Sequence, residues 1–228
     1  GAPHGFVRDH AAVPHGLDEL VVAQRFAGMQ EQGFEQARHA RFEHCDTYAL
    51  PLYPAEELAG VVPVDYKTPY DVREVLVRLV DGSAFDEFKP GYGPPTVCVH
   101  AAIMGFHCGI IGNNGPIDPQ GATKAAQFMQ LCDQAQLPLV FLHNITGYMV
   151  GTRAEQDGMI KHGSKMIQAV TNVRVPRISM YLSGSFGAGN YGMCGYGYEP
   201  DFLFAWPNSA TNTMGGEQAA RTMTQVAE

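Results

Sequence analysis

Ser183-Gly184-Ser185-Phe186-Gly187-Ala188-Gly189-Asn190-Tyr191-Gly192 follows the apolar run Ile178 to Leu182 and leads into a short helical pattern. Small residues at a strand-to-helix bend let another molecule approach the backbone closely. The first amides of the helix lack internal partners and sit at the positive end of its dipole. Gly187, Ala188 and Gly189 could therefore offer N–H groups to an anion or to a developing oxyanion. One such donor is worth roughly 3–4 kcal/mol in a transition state. Two other readings stay open. Tight packing of a helix on a strand needs the same small residues and no ligand. Gly187 to Gly192 also fits the dinucleotide pattern G-x-G-x-x-G, but that pattern calls for a carboxylate at the end of the next strand, where Trp206-Pro207-Asn208 stands.

A second segment, Asn144-Ile145-Thr146-Gly147-Tyr148-Met149-Val150-Gly151, follows the short apolar run Leu139 to His143. Ligands of open α/β sheets gather at the carboxyl ends of strands, so this loop is expected to line the same cleft. Tyr148, Met149 and Val150 would form an apolar wall, and Gly147 and Gly151 would allow close approach. The alternative is a structural turn whose tyrosine packs on the core. His162, within Lys161-His162-Gly163, has a side chain suited to proton transfer near neutral pH, and suits a structural role as well. Cys194 is expected near a helix N-terminus, which would lower its thiol pKa, but it has no identifiable His or Asn partner. His100 and His107 lack the spacing of a metal pair, so no metal site is expected. No G-x-S-x-G elbow and no GxxxxGK[ST] loop occurs. These absences favour chemistry run by backbone donors.

The elements that must hold these loops alternate. Thr68 as N-cap and Pro69 at the first helical position open a helix through Val72, Val75, Leu76, Leu79 and Val80, which Asp81-Gly82 ends. Thr96 to Ile103 and Cys108 to Gly112 read as strands. Gln120 to Gln134 and Met159 to Thr171 read as helices. Leu139 to His143, Ile178 to Leu182 and Phe202 to Ala205 are strands, and Gly216 to Val226 is a helix. Alternation of this kind implies an α/β fold with right-handed crossovers. Pro51 to Pro69, with four prolines, reads as an extended connection. Residues 1–50 are polar, with one amphipathic helix through Leu17, Leu20, Val21 and Gln24. They read as the remnant of an upstream domain and a linker, and residues 51–228 as the domain proper.

With 45% hydrophobic and 17% charged residues the 228-residue chain can bury a core. Fifteen basic against 23 acidic residues, net −8, argue against a general nucleic-acid binder. Five cysteines without a C-x-x-C pair suggest reduced thiols in the cytoplasm or an organelle matrix. No apolar run is long enough to span a bilayer, so no membrane role is expected. No signal peptide is visible, and the start at Gly1 suggests that the natural N-terminus is missing.

Several segments together resemble the acyl-CoA carboxylase β subunits, the biotin-dependent carboxyltransferases. Tyr66-Lys67-Thr68-Pro69-Tyr70-Asp71-Val72-Arg73-Glu74-Val75, Asp81-Gly82-Ser83 with Phe85 and Glu87-Phe88, and Gly109 to Gly115 come first. Asn144 to Gly151, Ile160 to Met166, Gly184 to Gly195, Trp206-Pro207-Asn208 and Met214 to Ala220 follow in order. The likeness runs from about Pro51 to Ala220 and leans to the methylcrotonyl-CoA and geranyl-CoA branch, with Pro116-Ile117 and Gly121 to Phe128 nearer the geranyl-CoA type.

The resemblance implies a crotonase-like ββα superhelix (the ClpP/crotonase fold), here as the C-terminal carboxyltransferase domain. It implies biotin, carried by a partner α subunit with biotin carboxylase and carrier parts, an acyl-CoA substrate, and a homo-oligomer of β subunits. It implies a cytoplasmic location, or the mitochondrial matrix in a eukaryote. It implies that carboxybiotin releases CO2, that the freed ureido group takes a proton from acyl-CoA, and that the enolate captures CO2. By the family motif, the amides of Gly187, Ala188 and Gly189 hold the biotin carbonyl, and Thr146, Gly147, Tyr148 and Gly151 line the biotin pocket. Phe186, Asn190 and His162 are possible supporting residues. Propionyl-CoA-type carboxylases and biotin-dependent decarboxylases are alternatives. Tyr196, Asp201 and Ala210 stand where the family usually has Arg, and a non-catalytic paralogue acting in assembly is the alternative these departures raise.

Overall fold

The computed structural model describes residues 48–227, so the helix expected through Leu17 and Val21, and Cys45, lie outside the described residues. A 3-10 turn, Ala55–Glu57, leads into helix α1 (Leu58–Val61), in place of a fully extended connection. Helix α2 (Val72–Leu76) and strands β1 (Phe85–Glu87), β2 (Thr96–Ile103) and β3 (Phe106–Asn113) follow. Helix α3 (Pro119–Gln134), strand β4 (Leu139–Ile145), helices α4 (Thr152–Gln156) and α5 (Met159–Asn172), and strand β5 (Arg177–Phe186) come next. Helix α6 (Gly187–Gly192), strands β6 (Phe202–Ala205) and β7 (Ala210–Asn212), and helix α7 (Gly216–Ala227) complete the order.

The strands form one sheet in the order β1-β2-β3-β4-β5-β6, with β7 also paired to β5. The β1-β2 and β2-β3 pairs are antiparallel, and every later pair is parallel. The β2-β3 hairpin turns through Met104 and Gly105, both at positive φ (52° and 82°), which matches the twist of a two-residue hairpin. Met104 would be strained there alone. The Asp81 carboxylate accepts its amide at 2.8 Å and that of Gly105 at 2.7 Å, fixing the turn.

Alternation along each strand sorts the core into two layers. Cys98, Ile111 and Phe141 face α3 and α5, meeting Phe128, Met129, Met166 and Val170. Val97, Val99, Ile110, Val140 and Leu142 face the other way, onto Leu58, Val72, Val75 and Leu76. Both faces are covered, which is why the central strands read as unbroken apolar runs.

The first long helix expected from sequence is corrected. Asp71, not Thr68, is the N-cap: its carboxylate accepts the Arg73 amide at 3.0 Å, and α2 is only five residues long. The reason is tertiary. Asn114 donates to the Asp71 carboxylate at 2.8 Å and accepts the Val72 amide at 2.7 Å, pinning the start. Arg73 then grips Glu87 of β1 through two bonds of 2.7 and 2.8 Å, tying α2 to the sheet edge. Helix α3 begins one residue earlier than the pattern suggested, with Asp118 as N-cap and Pro119 in the first turn.

Two features of this core yield measurable outcomes. A Cβ at Gly109 would lie 2.5 Å from Cys132 Sγ and 3.0 Å from the Phe128 ring. Gly109→Ala should therefore cost about 1–3 kcal/mol of unfolding free energy in chemical denaturation. His143 in β4 is fully buried, and burial pulls its pKa from the ordinary 6.5 down to about 3. The unfolded chain thus takes up this proton first, and the stability it contributes is complete above 6.5 and lost as pH falls toward 3. His143→Gln should flatten that part of the stability–pH profile relative to the parent.

Candidate active site

Strand β5 runs through Ser183, Gly184 and Ser185 to Phe186, so the bend comes later than the apolar run alone suggested. Pairing explains the extension. The first half of β5 is laddered to β6, and Gly184, Ser185 and Phe186 are laddered to β7, a strand with no local sequence signal. At the bend Gly187 takes φ +54°, and a Cβ there would press on the Thr213 carbonyl at 2.9 Å. Phe186 is buried against Tyr66, ring centroids 5.1 Å apart. Helix α6 then starts with Ala188 exposed. Its leading amides have no partner within the helix.

The two loops singled out in the sequence do meet. A Cβ at Gly189 would lie 2.7 Å from Ile145 Cγ1 and 2.9 Å from Gly147 Cα. A Cβ at Gly192 would run into the Tyr148 hydroxyl. Close packing on the loop, at Gly189 and Gly192, and an exposed residue, Ala188, are therefore both present on one short helix. The Thr146–Gly151 loop is held by a bridge between Ile117 and Tyr148: Ile117 donates to the Gly147 carbonyl at 3.1 Å, and Met149 donates to the Ile117 carbonyl at 2.8 Å. Tyr148 is half-buried, its ring beside Gly163 of α5. Thr146 is exposed. Cβ atoms added at Gly147 or Gly151 would meet nothing within 4 Å, so the backbone there faces open space.

A polar cluster lies beneath the bend, and sequence reasoning missed most of it. Asn190 Nδ2 donates to Ser185 Oγ at 2.8 Å and to Tyr181 Oη at 2.9 Å. Ser185 Oγ lies 2.8 Å from His143 Nδ1. Tyr181 Oη also accepts the Tyr196 amide at 3.1 Å, and its ring meets the His143 ring edge-on at 4.7 Å. His143, Ser185 and Tyr181 are buried within otherwise apolar strands. The only signal available was a histidine and a tyrosine inside strand runs, which single residues do not distinguish from packing.

His162 lies elsewhere. It lines a groove of about 890 Å³ with Tyr92, Asp118, Met149, Gly151 and Arg153, which none of Gly187, Ala188 and Gly189 enters. The Thr123 hydroxyl donates to the Pro119 carbonyl at 2.9 Å, so at 2.9 Å from His162 Nδ1 it is left as an acceptor. Cys194 is corrected: it follows the C-terminal end of α6, not the N-terminus of a helix, and is fully buried. Burial pushes its thiol up to about 11. Among the described residues, no group of three or more His, Cys, Asp and Glu is placed to hold a metal ion, and no helix is long and apolar enough to cross a membrane.

Residues 30–228 match the model of the carboxyl transferase domain. The chain is 54% identical over 176 residues to the mitochondrial methylcrotonoyl-CoA carboxylase beta chain of Dictyostelium discoideum, covering 77% of this chain and 30% of that one. The P. aeruginosa geranyl-CoA carboxylase beta subunit superposes with a TM-score of 0.77 at 58% identity, over 83% of this chain and 37% of that one. A transcarboxylase 12S structure gives a TM-score of 0.73 at 34% identity, over 80% and 37%. The chain thus spans about a third of the length of these relatives. The α/β architecture expected from the sequence is that of these crotonase-fold carboxyltransferases. On the family match and on these identities, the chain belongs to the carboxyl transferase domain family.

Proposed function

We propose that this chain is the biotin-side part of an acyl-CoA carboxylase β subunit, and that residues 51–228 form its C-terminal carboxyltransferase domain. The whole subunit would move a carboxyl group between biotin and a branched, unsaturated acyl-CoA, geranyl-CoA or 3-methylcrotonyl-CoA. The observation that carries this reading is the bend after Phe186, where α6 begins with Ala188 exposed and Gly189 packs on Gly147 of the neighbouring loop. The amides of Gly187, Ala188 and Gly189 would hold the biotin carbonyl oxygen, and Thr146, Gly147, Tyr148 and Gly151 would border the ring. Biotin supplies the carboxyl group on its ureido nitrogen. What the chain supplies is fixed hydrogen-bond donation where negative charge develops on the ureido oxygen. Phe186 and Asn190 would hold the bend in place, and His162 would border the groove next to Gly151.

The acyl-CoA preference is supported by identities of 54% to a methylcrotonoyl-CoA carboxylase chain and 58% to a geranyl-CoA carboxylase chain, against 31% to the methylmalonyl-CoA decarboxylase subunit alpha of Veillonella parvula. The partner would be an α subunit bearing biotin carboxylase and the biotin carrier. Self-association is supported by the transcarboxylase 12S neighbour, described as a hexamer assembly. The location would be cytoplasmic, or the mitochondrial matrix in a eukaryote. The positions that depart from the family pattern bear on surfaces and strand ends. Tyr196 is exposed, Asp201 accepts the Arg177 amide at 2.8 Å, and Ala210 pairs with Gly184.

The full-length protein with its α subunit should carboxylate geranyl-CoA or 3-methylcrotonyl-CoA faster than propionyl-CoA. No turnover with any of the three removes the reading. In the same assay Ala188→Val should lower transfer at least about tenfold by filling the approach to the amides. Its thermal midpoint should stay close to the parent's, because Ala188 is exposed.

A further inference from the structure

Helix α6 has little of its own to hold it. It is six residues long, and its N-cap, Phe186, offers no side-chain hydrogen bond. Four of its residues are Gly187, Ala188, Gly189 and Gly192, without polar side chains. Tyr191 is half exposed and turned to Tyr198, ring centroids 5.8 Å apart. Asn190 is the polar side chain that α6 sends into the core. Both of its amide protons are used there, one on Ser185 and one on Tyr181. Ser185 Oγ, already accepting from Asn190, has one proton left, and its remaining partner is His143 Nδ1. If Ser185 gives that proton to Nδ1, the neutral imidazole carries its own proton on Nε2. Nε2 is buried and has no hydrogen-bond partner, and the ring lies close to the backbone of Met193, the residue that closes α6.

We infer that His143 is a positioning residue for the amides of Gly187, Ala188 and Gly189, acting through a one-way hydrogen-bond chain from Asn190 to Ser185 to His143. The residue touches the chain on both flanks of α6, Ser185 just before it and Met193 just after it. It also sits on β4, the strand that runs into the Thr146–Gly151 loop. One imidazole thereby sets the loop and the bend against each other. The inference rests on the carboxyl-transfer reading and adds to it the group that aims the donors. Aim matters because donors act on charge only when held at the right distance and angle, and small misplacements of a positioned group lower rates steeply.

The test uses the full-length subunit in the direction from carboxylated acyl-CoA to free biotin, with KM measured for each substrate. His143→Leu removes the acceptor and should raise the KM for free biotin, or lower kcat, by roughly tenfold or more, with the KM for acyl-CoA unchanged. His143→Gln keeps an acceptor toward Ser185 and should recover most of the loss. Ser185→Ala breaks the same chain at a smaller side chain. It should reproduce the biotin-side defect, and the double variant with His143→Leu should be no worse than either single one. Equal behaviour of the Leu and Gln variants, or parallel shifts in both KM values, overturns the inference. If His143→Leu does not fold, Ser185→Ala decides, and normal biotin kinetics there overturn it as well. Failure of the underlying reading looks different, because the parent protein would then transfer no carboxyl group to biotin.

Discussion

The contact between Gly189 and the backbone of Gly147 governs the architecture of the site. There is no room for a side chain between them, so a short helix lies directly on the loop that leaves the neighbouring strand. Gly192 repeats the arrangement one turn on, against Tyr148. Because Gly189 and Gly192 are closed by packing, Ala188 can remain exposed without loosening the helix. The glycines therefore have divided duties. Gly189 and Gly192 bring the elements together, while Gly187 makes the turn at a positive φ that other residues adopt with strain.

Support for this arrangement reaches far along the chain. Asp71, Arg73, Asn114 and Glu87 knit the segment before the sheet to its edge. Asp81 holds the first hairpin by two amides. These carboxylates have fixed structural partners, which accounts for the polar residues in segments otherwise dominated by apolar ones. At the other end of the sheet, β6 and β7 both pair with β5, and the β7 pairing, through Gly184, Ser185 and Phe186, runs up to the bend. The sheet is thus stiff on both sides of the place where the chain turns.

Much of this could be read from residues alone. The strands from Thr96 to Ile103 and from Phe202 to Ala205, and the helices read over Gln120 to Gln134 and Met159 to Thr171, announced themselves by periodicity. The meeting of two glycine-rich loops followed from the rule that strand ends face one cleft. What stayed hidden was made by distant partners. Asp71 became a cap because Asn114 fixes it, and no local pattern carries that information. Strands β1 and β7 are three residues each and exist through pairing. Cys194 was misplaced because α6 is only six residues long and ends at Gly192. The imidazole below the bend looked like one more residue of a buried strand, since its role depends on Ser185 and Asn190 arriving from elsewhere.

Peptide N–H groups neither gain nor lose a proton across the physiological range, unlike the histidines, carboxylates and lysines that usually serve catalysis. A grip built from Gly187, Ala188 and Gly189 is therefore constant in charge whatever the surrounding acidity. Under the proposed reading, any dependence of the reaction on acidity near neutrality would have to arise in titratable side chains outside this grip. Mutation would have little chemistry to retune at it, because no side chain carries the donors.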